Sequence, residues 1–196
     1  MYRLSTFLIF AALTLAACAQ APTERLNASS KSIRAVRIFA WGNDDPALAS
    51  PAHEAFVETL RRSGLEATRV VALQRPFEDL KALVRSWSEA PAGESASHAL
   101  VLTRQFQQSG YVRYEAVLWD SSSRKLVWKA TLASAATFDT TRQRVMPKEA
   151  AKRAERLAAD VLRGLDRDGL FPLNGKVPHD AQGQDIPPTL IPIQLL

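Results

Sequence analysis

The chain has 196 residues, a formal net charge of +5, 46% hydrophobic residues and one cysteine. One cysteine leaves no partner for an intramolecular disulfide. Lysine and arginine are dispersed among acids with no block of five or six, which describes a solvated surface and not a nucleic-acid footprint. The length suits one domain with a single sizeable core.

Residues 1–17 have the three parts of an export signal: Arg3, an apolar run from Phe7 to Leu15, and the small residues Ala16 and Ala17 before a cut. The apolar stretch Leu4 to Ala17 is shorter than the ~20 residues that cross a bilayer as a helix, so a permanent transmembrane anchor is not expected. "LAAC", Leu15 to Cys18, resembles the lipobox of bacterial lipoproteins. That resemblance implies cleavage between Ala17 and Cys18. It also implies a diacylglycerol thioether on the sulfur and a fatty acyl chain such as palmitate on the new amine. Several chains together give the stable anchoring that one chain does not. In the same family an aspartate after the cysteine often marks inner-membrane retention. Ala19 stands there, which implies the outer membrane and a periplasm-facing domain. Residues 18–32 read as the lipidated cysteine and a short polar tether, whose last 14 residues reach at most ~50 Å.

The domain is expected over residues 33–171. "IRAVRIFAW" (33–41) reads as a strand and "GNDDPALAS" as a loop. Ser50 then caps a helix with Pro51 at its first position. Ala52, Ala55, Phe56, Thr59 and Leu60 share one face of it, and Gly64 suits the stop. A second strand over 65–73 completes a β-α-β unit with parallel strands and a right-handed crossover. A second helix starts at Pro76, with Phe77, Leu80, Leu83, Val84 and Trp87 on one face. Strands follow over 97–106, 111–120 and 125–135. The first has a nearly continuous apolar centre and belongs inside a sheet. In the next two, Val112, Tyr114, Ala116 and Leu118 point the same way as Leu126, Trp128, Ala130 and Leu132. A helix over 147–169 carries the apolar stripe Ala150, Ala154, Leu157, Ala158, Val161, Leu162 and Leu165, with Gly169 at its stop. The order β-α-β-α-β-β-β-α predicts an α/β (α+β) two-layer sandwich, a mixed sheet of about five strands with helices mainly on one face. Residues 172–196 hold five of the eleven prolines and read as a tail without helix or central strand.

The hairpin "YEAVLWDSSSRKLVWKA" and the closing "AERLAADVLRGLDRDGLFP" resemble those of small bacterial envelope lipoproteins. The match lies in Leu118, Asp120, Val127, Trp128, Gly169 and Leu170. The topology resembles the amino-terminal domain of TolB and the penicillin-binding-protein activator lipoproteins. Auxiliary lipoproteins of envelope ABC transporters have similar strand-helix orders. The resemblance implies a protein-binding domain without catalysis. The activators have long tethers, and this one is short.

No catalytic set emerges, so an enzyme is not expected. His53, His98 and His179 have no metal-ligand spacing and read as solvated or capping residues; no metal or other cofactor is expected. "GESAS" (93–97) lacks the last glycine of a nucleophile elbow. Ser122 and Lys125 match Ser-x-x-Lys, but in a hairpin turn. Asn43, Asp44 and Asp45 are the sharpest polar cluster, suited to a turn before Pro46 or, in the alternative hydrolase reading, to acid-base work.

The remaining candidate is the sheet face away from Trp128: Tyr111, Arg113, Val117 and Trp119, beside Val127 and Lys129. Arginine and aromatics among aliphatics have the composition of a protein-binding surface. The expected partners are the membrane, through lipid at Cys18, and another envelope protein. The apolar segment "TLIPIQLL" (189–196) offers a competing cover for that face.

Overall fold

The computed structural model describes residues 18–19, 22–26, 32–41, 50–69, 97–108, 111–120, 122–135 and 147–192. The second helix expected from Pro76 and the Asn43–Asp45 loop lie outside them.

Among the described residues the elements run in chain order: β1 (Cys18–Ala19), β2 (Thr23–Arg25), β3 (Ala35–Trp41), α1 (Ser50–Arg62), β4 (Glu66–Arg69), β5 (His98–Gln108), β6 (Tyr111–Asp120), β7 (Lys125–Ala135), α2 (Pro147–Arg167) and β8 (Ile191–Pro192). Six strands form one mixed sheet in the order β2-β7-β6-β5-β3-β4, and β1 pairs with β8 separately. β3 is parallel to both β4 and β5, as the β-α-β reading requires; the other pairs are antiparallel. The sheet has six strands instead of five because β2 joins its edge. Its three residues lie in the segment expected to be tether, and three residues are too few to display a period. β2 is held by its pairing with β7, Thr23 opposite Ala130 and Arg25 opposite Trp128.

The two described helices lie on one face. α1 contributes Ala52, Phe56, Val57 and Leu60, and α2 the whole predicted stripe from Ala150 to Leu165. They close over Val36 and Ile38 of β3, Leu100 and Leu102 of β5, Val112, Tyr114, Ala116 and Leu118 of β6, and Trp128, Ala130 and Leu132 of β7. Period-3.6 and period-2 patterns meet in a single core, so the burial of each supports the other. Gly64 (φ +91°) and Gly169 (φ +67°) stop the helices in the left-handed region.

The histidines differ from the expected surface roles. His53 is 1% exposed and sets its ring edge-on to Phe56, with centroids 6.5 Å apart. His98 is also buried, beside Val36 and Asp120 in the sheet. Only His179 is exposed, where its Nδ1 meets Asp185 at 3.0 Å.

Trp128, of the lipoprotein-like pattern, takes part in a clasp at the end of α2. The Trp128 indole Nε1–H donates to Asp168 Oδ2 at 2.7 Å. Arg25 Nη1 donates to the Asp168 carbonyl at 3.1 Å, and Arg167 Nη2 to Thr23 Oγ1 at 2.6 Å. Gly164 makes this approach possible. A Cβ there would lie 2.7 Å from Trp128 Cζ2 and 2.9 Å from Thr23 Cγ2. Beyond the clasp, Ile33 N–H donates to the Leu170 carbonyl at 2.9 Å, tying the start of the domain to its close.

Candidate functional site

The face away from the helices is built by alternation along β6. Arg113, Glu115, Val117 and Trp119 fall on it because Val112, Tyr114, Ala116 and Leu118 fill the core. Across the ladder Val117 faces Lys129, Glu115 faces Thr131 and Arg113 faces Ala133. Lys129 Nζ and a Glu115 carboxylate oxygen form an ion pair, and Gln105 Nε2 donates to the other Glu115 oxygen at 3.3 Å. Being partly exposed, this pair orders the side chains more than it stabilises the fold.

The sheet brings Arg113, Glu115, Val117, Trp119 and Lys129 onto one face. Val127 does not join them. The β6–β7 register shifts so that Leu118 faces Trp128 while Trp119 faces Leu126. Val127 is the extra residue of a bulge, 2% exposed and part of the core. Leu126, expected in the core, is only partly buried. Simple alternation cannot anticipate such a slip, because one inserted residue exchanges the faces beyond it. Tyr111, at the strand's start, is half-buried and packs against the core.

The face divides into two halves. Towards β3, Arg37, Phe39, Ala99 and Val101 are all buried, so that half is closed. Over β6 and β7, Arg113, Trp119, Leu126, Lys129 and Thr131 remain partly exposed. Trp119 stands at the boundary, opposite Ala99 on one side and Leu126 on the other. Its Nε1–H is shielded from solvent, and no acceptor among the described residues lies within hydrogen-bond distance. A shielded indole donor without an acceptor costs about 1–3 kcal/mol and is uncommon in folded proteins.

The expected tail cover does not reach this face within the described residues. Ala181 N–H donates to Glu155 Oε1 at 3.0 Å and Thr189 N–H to Asp160 Oδ1 at 3.2 Å. Arg163 Nη2 donates to the Ile186 carbonyl. The tail therefore runs along α2, on the opposite side of the sheet.

Among the described residues, the polar side chains beside the strand ends are engaged as follows. Asp120 Oδ1 accepts from Ser122 N–H and Ser122 Oγ–H at 2.8 and 2.7 Å, and Oδ2 from Ser123 Oγ–H at 2.9 Å. Partial burial alone would raise the Asp120 carboxyl, but the Ser122 and Ser123 hydrogen bonds outweigh it and hold it below its ordinary value. Ser122 is thus a turn residue whose hydroxyl faces a carboxylate, not Lys125. Sequence reading did not pair Ser97 with His98, whose Oγ and Nδ1 lie 2.7 Å apart. His98 Nε2 is buried without a partner among the described residues, and both Asp120 oxygens are engaged in the turn. Burial lowers the His98 pKa, with Asp120 partly opposing it, so the ring is neutral at neutral pH. Its second nitrogen is shielded from solvent. Among the described residues no three His, Cys, Asp or Glu side chains gather as a metal site, and no helix is long and apolar enough to cross a membrane.

No protein-family model matches the chain, and neither does any curated protein. Among solved structures, the PelC dodecamer from Paraburkholderia phytofirmans is similar over 74% of this chain and 96% of that one, at 18% identity and a TM-score of 0.42. Lipoprotein GNA1162 from Neisseria meningitidis is similar over 52% of this chain and 80% of its own, at 12% identity and a TM-score of 0.32. A Xanthomonas campestris protein of the DUF330 family model aligns with 71% of this chain and 89% of its own, at 12% identity and a TM-score of 0.40. No residue role passes from them to this chain.

Proposed function

We propose that the mature protein is a lipid-anchored module of the bacterial envelope that works by binding another envelope protein, not by catalysis. Export and anchoring rest on the signal of residues 1–17 and on "LAAC"; Ala19 favours the periplasmic side of the outer membrane. The observation that carries the binding role is Trp119. Among the described residues its indole donor has no acceptor, on a partly open half of the sheet face between the closed half and the Arg113, Glu115 and Lys129 charges. A partner segment presenting a carbonyl oxygen there would satisfy the donor and cover apolar ring surface in one contact.

The test has two arms. Cys18→Ser is expected to abolish incorporation of labelled palmitate and release the protein from the membrane fraction. In-cell photocrosslinking from position 119 is expected to capture one envelope protein, and Arg113→Glu to lose it without unfolding the domain. Crosslinks confined to the protein's own chain would remove the binding role from this face.

A further inference from the structure

Aspartate or asparagine followed by glycine occurs twice in the chain, at Asp168–Gly169 and Asn174–Gly175. In either pair the glycine backbone nitrogen can close on the preceding side-chain Cγ to form a five-membered ring, since glycine has no Cβ to obstruct the approach. The fold treats the two pairs differently.

The Asp168–Gly169 pair is held. Asp168 Oδ2 accepts the Trp128 indole N–H at 2.7 Å, and Gly169 N–H donates to the Asp166 carbonyl at 3.0 Å. The Asn174–Gly175 pair is exposed. Neither the Asn174 side chain nor the Gly175 N–H has a hydrogen-bond partner among the described residues. Asn174 (φ +53°) and Gly175 (φ +78°) are both left-handed, and Lys176 N–H donates to the Leu173 carbonyl at 3.0 Å. Two such residues closed by that bond make a type I′ turn, for which Asn-Gly is the preferred pair. The turn spans two fixed points. Leu173 N–H donates to Asp166 Oδ1 at 2.8 Å, and the Pro178 carbonyl accepts Ile186 N–H at 2.9 Å. A Cβ built on Gly175 would meet nothing within 4 Å, so the bend itself is open.

We infer that Asn174 is a site of spontaneous covalent modification, converted through a cyclic imide to aspartate and isoaspartate while the protein stays folded. The Gly175 nitrogen gives up its proton to base and bonds to Asn174 Cγ. The carboxamide C–N bond breaks and ammonia leaves. Water then adds to either carbonyl of the imide, and ring opening gives an α-linked or a β-linked carboxylate. Ring closure requires the 174–175 peptide to rotate out of its turn. An exposed turn does this locally, whereas the same motion at Asp168 requires the Trp128 contact to open. The β-linked product carries one extra backbone carbon between Leu173 and Lys176, which breaks the turn bond at the point where the tail leaves α2. The residues that make the best turn here are thus also the reactive pair.

The test incubates the full chain at mildly alkaline pH, folded in one sample and unfolded in guanidinium chloride in another. Cleavage after Arg167 and Lys176 releases one peptide, 168–176, that holds both pairs. Mass spectrometry with electron-transfer fragmentation then reads aspartate and isoaspartate at each position. Asn174 is expected to convert in the folded chain within a few-fold of its unfolded rate, while folding slows isoaspartate formation at Asp168 by a several-fold larger factor. Folding that suppresses Asn174 as strongly as Asp168 would overturn the inference. So would a conversion rate that does not rise with pH, because the ring closes through the deprotonated nitrogen.

Discussion

At the residue scale, two side chains have consequences that burial alone would not reveal. His98 is neutral in the fold because burial opposes its charge, so its folded pKa lies below the ordinary 6.5. A lowered histidine pKa means that the unfolded chain binds the proton more readily. The resulting stability is present above pH 6.5 and is lost as pH falls from there through the lowered folded value. Urea midpoints measured from pH 7.5 down to 5 should fall more steeply for the parent chain than for His98→Gln; parallel curves would show that His98 does not govern this range. Gly164 is set by contact. Gly164→Val places atoms against the indole of Trp128 and Thr23 at distances real side chains do not adopt, and should cost about 1–3 kcal/mol by forcing the clasp apart. Trp128→Phe keeps the packing but strands Asp168, with an expected loss of about 1.5–3 kcal/mol. Thermal or urea denaturation of the two variants checks both values.

At the scale of elements, the tail acts as a strap and not as a linker. Its backbone is held by charged side chains of α2: Glu155 bonds Ala181, Asp160 bonds Thr189 and Arg163 bonds Ile186. Asp160 is buried with Oδ2 unpartnered among the described residues, and desolvation raises its pKa despite Thr189 and Arg163. A buried carboxylate retained at that cost ties a particular segment to a particular turn of helix. Arg163→Ala should lower stability by about 1 kcal/mol, a figure reduced for its partial exposure. It should also speed amide exchange at residues 186–189 while leaving β5–β7 protected. Hydrogen exchange by mass spectrometry distinguishes this local release from general destabilisation. The β6–β7 bulge is the other element-scale device, turning Val127 inward and Leu126 out at the end where Trp119 sits.

On the scale of the whole molecule, three features share one geometry. α1 and α2 occupy one face, the tail lies along α2, and the β6–β7 half of the other face stays partly exposed. β2 extends the sheet beyond β7 on the side where Cys18 lies four residues away. With β2 paired, the chain between Cys18 and the sheet is short, so an anchored domain is held close to its membrane with little reach. Deleting residues 19–21 should therefore disturb β2 and lower stability, whereas a purely flexible tether would tolerate the loss. Denaturation of the deleted chain decides between them.

The amino-acid sequence by itself determined strands β3 and β5–β7, both described helices and the parts of the core that β6 and α2 contribute. These follow from local periodicity, composition and caps, which nearest neighbours in the chain suffice to express. The α2 stripe and the inward set of β6 were legible to the residue. Only the tertiary structure decided that "TER" is an edge strand, that Val127 leaves the candidate face for the core, that His53 and His98 are buried, and where the tail lies. Each of these depends on a partner far along the chain: β7 for β2, the β6 register for Val127, packed elements for the histidines and α2 for the tail. Local patterns carry the propensity to form an element, but a three-residue strand, a bulge or a strap has no period of its own. It exists because a distant segment supplies its hydrogen bonds.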